Sequence, residues 1–162
     1  MKEVFQHPMR QVRELVLQSF YQWLIHPNSV DPNSQHLEKV DAYQLAVSRV
    51  KDLYPEAKLA IITVLSDNQW NRLHLIEQAI MVQVYYELLE CPKLPYRVII
   101  NEAVELAKKY GGDQSHRLVN VLSDKLALIL RPIEVAARSA TTSKISVPSC
   151  QDSTELANGE EE

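Results

Sequence analysis

The chain has 162 residues, enough for one domain, with 46% apolar and 23% charged residues and only three glycines. So few glycines exclude folds built on many tight turns and exclude phosphate-cradling glycine loops. Cys91 and Cys150 lie too far apart for a zinc or redox pair, which fits a reducing, cytoplasmic setting. No apolar run is long enough for a membrane span, and the first residues, Met1-Lys2-Glu3-Val4-Phe5, do not read as a signal peptide. The net charge of −4 resides in the tail: residues 151–162 hold five acids and no base, leaving residues 1–150 at +1.

Residues 8–26 predict a helix. Val12, Leu15, Val16, Ser19, Phe20, Trp23 and Leu24 draw one stripe at helical spacing, with Pro8 at its start and Pro27 at its end. Residues 27–34 predict a loop. Residues 35–54 predict a second helix, on Leu37, Val40, Tyr43, Val47, Val50 and Tyr54, with Pro55 breaking or restarting it. A short helix to about Leu65 and a polar turn at 66–68 follow.

Residues 70–90 are apolar nearly all round, the pattern of a helix in the middle of a bundle. Pro95 opens the next helix, to about Tyr110, and Gly111-Gly112 stops it. Asp113 is the expected cap of a last helix carrying Leu118, Val119, Leu122, Leu126, Ile129 and Leu130. Pro132 and the Ser/Thr-rich stretch from Ser139 are expected to end the fold. The expectation is an all-α bundle of six or seven helices over residues 1–138, followed by a disordered acidic tail, 139–162.

The five histidines form no i,i+4 pair, so neither a metal site nor any cofactor is expected. Glu102 and Glu105 share a helix face, but Lys108 and Lys109 follow at ion-pair spacing, so surface pairing is the simpler reading than catalysis. The bases say more. Arg10 and Arg13 stand three positions apart on the first helix, with Tyr21 further along. Residues 93–131 hold seven bases, among them Lys108, Lys109 and Arg117, against four acids. Brought to one side, they would form a basic strip beside an aromatic, a combination suited to single-stranded RNA. An ordinary solvated charged face is the other reading, and composition alone favours it.

Residues 95–131, from Pro95-Tyr96-Arg97 through Asn101-Glu102-Ala103 to the Gly111-Gly112 turn and Ser115-His116-Arg117, resemble the C-terminal signature of the bacterial NusB family. Trp70, Arg72, Leu73, Ile76, Glu77, Ala79, Ile80, Tyr86, Glu87 and Leu88 fit the family's preceding helix. Arg10, Arg13-Glu14, Gln18 and Tyr21 fit its first. The likeness spans about residues 8–132. It departs at Met9 and Gln11, which thin an arginine cluster, and at Val82, where the family has an arginine. It also departs at Leu118, where an aromatic is usual, at Gln114, where an acid is usual, and at Val121, where loss of a glycine would hinder close helix packing.

The resemblance implies two packed helical subdomains, the first of about three helices, and a role without catalysis. That role is transcription antitermination: binding of boxA-type single-stranded RNA from ribosomal RNA leaders, together with a small-subunit ribosomal protein acting as NusE, to help RNA polymerase resist termination. It also implies RNA contacts from Arg10, Arg13 and Tyr21, with Arg117 beside them, and a partner contact from Glu77. Some family members self-associate, which keeps a homodimer open. Two other readings stand beside it: a helical protein–protein adaptor that has lost RNA binding, and the NusB-like first domain of an RNA cytosine methyltransferase.

Overall fold

The computed structural model describes residues 10–28, 40–65 and 69–143. Within them the order is α1 (Arg10–Ile25), α2 (Val40–Val64), a 3-10 turn (Gln69–Arg72), α3 (Leu75–Glu90), α4 (Tyr96–Tyr110), α5 (Ser115–Leu130) and α6 (Pro132–Ser143). No strand occurs among the described residues, so the all-α expectation holds. Most of the predicted 27–34 loop, the start of the second predicted helix, the turn at 66–68 and residues 144–162 of the tail lie outside the described residues.

The centre is α3. Every residue from Ala79 to Leu88 is buried, as an all-round apolar helix requires. Helices α1, α2, α4 and α5 all pack on it, α1 against α2 on one side and α4 against α5 on the other. The two groups share one continuous core. In α4 the buried set Tyr96, Ile99, Ile100, Ala103, Leu106 and Ala107 repeats at three and four residues, the stripe of a helix with one wet face. Helix α1 adds Phe20, which with Trp23 and Tyr54 forms an aromatic triangle with centroids 5.6–5.9 Å apart.

Four expectations are corrected. Pro55 does not break α2, which runs through it as one helix of 25 residues. Pro55 is exposed, so the carbonyl it leaves without a donor can face water, while Val50, Leu53, Ala57 and Ile61 pin both halves to the core. Asp113 does not cap α5. The cap position falls on Gln114, whose side chain makes no capping bond. Ser115, the first residue of α5, instead reaches back to the turn, its Oγ accepting from the Gly112 N–H at 2.9 Å and its own N–H donating to the Gly112 carbonyl at 3.0 Å. Pro132 does not end the fold but opens α6, where proline suits a first turn that lacks N–H acceptors. Ile129 is 55% exposed and not part of the α5 core stripe.

Gly111 is needed for space. A Cβ there would lie 2.5 Å from the Ser115 Cβ and 2.6 Å from the Ala107 carbonyl oxygen. By contrast Val121 is 51% exposed, so the missing glycine costs no helix packing.

The end of α3 is closed by a cation from the far side of the chain. The Arg131 guanidinium donates to the carbonyls of Glu87, Leu88, Cys91 and Leu94 at 2.5–3.0 Å. Glu134 orients it at 3.2 Å and accepts from the Tyr96 N–H at 3.0 Å. A positive charge at a helix C-terminus also meets the negative end of the helix dipole.

Candidate nucleic-acid interface

Three of the sequence-predicted bases converge. Arg10 from the first turn of α1 and Lys108 and Lys109 from the last turn of α4 line one shallow depression of about 290 Å³, with Glu14 and Glu105. The packing of α1 and α4 on α3 produces this meeting of residues almost a hundred positions apart.

Each base in the depression already has an acid. Arg10 lies 3.4 Å from Glu102 and 3.6 Å from Glu105. Lys108 donates to Glu105 at 2.8 Å, and Lys109 donates to Glu14. These contacts shift the groups as expected. The Lys109 ammonium and the Tyr110 hydroxyl hold Glu14 below the usual carboxylate range. Lys108 does the same for Glu105, and Glu14 raises Lys109. All three bases remain more than half exposed, so the pairing is soft.

Tyr21 stands next door. It lines a groove of about 520 Å³ with Leu17, Gln18, His26, Ile76 and Tyr110. Tyr110 joins groove to depression: its hydroxyl accepts from Gln18 Nε2 at 3.0 Å and donates to Glu14. Sequence reasoning missed Tyr110 and Gln18 as site residues. The available signal was an aromatic in the last turn of the helix that carries Lys108 and Lys109. Arg117 is exposed on the first turn of α5, with no side-chain partner among the described residues and no contact tying it to the depression.

Arg13 is corrected from a surface phosphate contact to a core ion pair. Its side chain is 6% exposed, and its Nε lies 2.9 Å from both oxygens of Glu87, itself 4% exposed. Three residues along a helix is 300°, enough to carry Arg13 from the wet edge of Arg10 to the side facing α3. Gln83 adds to the arrangement by donating to the Arg13 carbonyl at 3.1 Å. Burial raises the Glu87 carboxyl, with Arg13 pulling in the opposite direction. The sequence held a signal for this: Gln83 and Glu87, one turn apart in an otherwise apolar helix, require buried partners.

Glu77 is likewise corrected. It is 5% exposed and sits at the third position of α3. One oxygen accepts from the His74 N–H at 2.8 Å and the other from the Ser115 hydroxyl at 2.5 Å. The carboxylate closes the start of α3 and ties it to the start of α5, so it does not face outward.

The protein is an all-helical domain in which three exposed bases lie beside an aromatic groove where α1 and α4 come together. The sequence pattern of the NusB family matches residues 10–126. The transcription antitermination protein NusB of Azoarcus sp. (strain BH72) is 41% identical over 139 residues, covering 81% of this chain and 90% of that protein. The NusB of Cupriavidus pinatubonensis is 39% identical over 136 residues, covering 80% and 81%. The solved structure of T. maritima NusB superposes with a TM-score of 0.67 at 24% identity, covering 76% of this chain and 92% of that one, a likeness of fold. The chain belongs to the NusB family.

Proposed function

We propose that this protein is a transcription antitermination factor that binds boxA-type single-stranded RNA of ribosomal RNA leaders, jointly with a small-subunit ribosomal protein acting as NusE. Its place is the cytoplasmic antitermination complex of RNA polymerase, and its role is binding, without catalysis. The observation that carries this reading is the meeting of Arg10, Lys108 and Lys109 beside the groove of Tyr21 and Tyr110. The bases suit phosphates, and the rings offer faces on which unpaired bases stack. Family membership supplies the direction.

The test is fluorescence anisotropy of a boxA-type RNA at two salt concentrations, with and without the ribosomal protein. Replacing Arg10 and Lys109 by Ala is expected to weaken binding to every RNA and to flatten the salt slope by up to about 1.4. Tyr21→Ala is expected to cost about 1–3 kcal/mol with little change in slope. Parental affinity and slope in the double variant would move the RNA surface elsewhere, Arg117 being next. Absence of any salt-sensitive RNA affinity would favour the adaptor reading, which the internal neutralisation of all three bases supports.

A further inference from the structure

We infer that Glu14 and Glu105 are affinity-setting residues: they act as built-in counter-ions that hold Lys109, Lys108 and Arg10 within the protein, so that an RNA gains phosphate contacts there only by displacing them. The inference rests on the functional reading above and deepens it.

The geometry distinguishes these two carboxylates from the third. Glu102 also lies 3.7 Å from Arg13, the buried end of the same charge network, and is therefore fixed from inside. Glu105 is 46% exposed and serves two bases, Arg10 at 3.6 Å and Lys108 at 2.8 Å. Glu14 holds Lys109 and accepts the Tyr110 hydroxyl, which belongs to the neighbouring groove. Three bases thus meet two acids in the depression, with Glu102 beside Arg10 at its edge, so little net positive charge is left for an approaching polyanion. Exposed pairs of this kind are weak and exchangeable, so a phosphate can take over a base. The displaced carboxylate stays nearby and repels it. That penalty is the same for every sequence, because phosphates carry no sequence information. Charge alone then holds RNA weakly at this surface, and base contacts in the groove decide which RNA stays.

The experiment compares the full chain with its Glu14→Gln/Glu105→Gln variant. Each is titrated with a boxA-type RNA and with a scrambled RNA of equal length, at two salt concentrations. Glutamine keeps a hydrogen-bonding oxygen for Tyr110 and Lys109, and both sites are on the surface, so the thermal midpoint serves as the control of folding. Removing two negative charges several ångströms from the phosphates is expected to tighten both RNAs by a factor on the order of ten at low salt. The salt slope should steepen by up to about 1.4, and the ratio between the two RNAs should stay unchanged. An Asp52→Asn/Glu56→Gln variant on α2 raises the net charge equally and is expected to bind like the parent. Equal affinity and slope in parent and Glu14/Glu105 variant would overturn the inference while leaving the RNA reading intact. Weaker binding by that variant, or equal tightening by the α2 control, would overturn it too. If neither protein bound RNA down to low salt, the functional reading would fall and this inference with it.

Discussion

Arg13→Ala separates a core ion pair from a surface phosphate contact. The substitution removes a guanidinium whose Nε is 2.9 Å from both oxygens of a carboxylate that is only 4% exposed. Breaking a buried pair from one side costs about 3–5 kcal/mol, because the remaining charge stays desolvated. For a chain of this size each kcal/mol lowers the thermal midpoint by about 2–4 °C, so the expected fall is about 6–20 °C. The deficit has a pH signature. Burial already lifts the Glu87 carboxyl above its ordinary 4.5, and losing Arg13 lifts it further. The folded variant then binds a proton that the unfolded chain releases, and its stability falls as pH rises from about 4.5 through the raised folded value. The gap between variant and parent is therefore widest at neutral pH and closes toward pH 4.5. Adding Glu87→Gln should recover part of the loss at pH 7. Thermal and urea unfolding followed by circular dichroism at pH 7.5 and 5 measure all of this. An Arg13→Ala midpoint within about 2 °C of the parent at pH 7.5, with weakened RNA binding, would refute the argument and return Arg13 to the RNA surface.

Two further expectations follow from buried groups. Glu77→Gln loses a charge-assisted bond to the His74 N–H and weakens the one to Ser115. It should cost about 1–3 kcal/mol in urea unfolding and leave any affinity for the proposed ribosomal-protein partner unchanged; reduced affinity at an unchanged unfolding midpoint would place Glu77 at an interface instead. Cys91 is 3% exposed, and burial pushes its thiol up to about 11. With Cys150 replaced by Ser, a thiol reagent at pH 8 should label the native protein only at the rate at which it opens, and prompt labelling would show Cys91 to be accessible.

The sequence exposes some of this molecule because certain residues carry their environment with them. Helix α3 was legible since a run such as Ile80-Met81-Val82 and Val84-Tyr85-Tyr86 has no face that tolerates water. Pro55 was misleading because its effect depends on whether the freed carbonyl meets solvent, which no local pattern reveals. Asp113 is a competent cap, yet α5 starts two residues later, where the Ser115 hydroxyl is held by Glu77, 38 residues earlier. The candidate site divides the same way. Arg10, Lys108 and Lys109 are legible as bases, but their meeting depends on how α1 and α4 each pack on α3. Arg13 reads as one more surface arginine until Glu87, 74 positions away, is seen beside it.

Arg131 sets where the folding unit can be cut. The family pattern ends at residue 126 and α5 at Leu130, so a chain trimmed after Leu130 would retain every helix that packs on α3. It would nevertheless lose the side chain that serves four carbonyls around the end of α3 and, with Glu134, the acceptor of the Tyr96 N–H that starts α4. The joint between the two central helices is thus fastened from outside both of them. A unit that keeps these bonds extends through the first turn of α6, past the boundary that family likeness alone would draw.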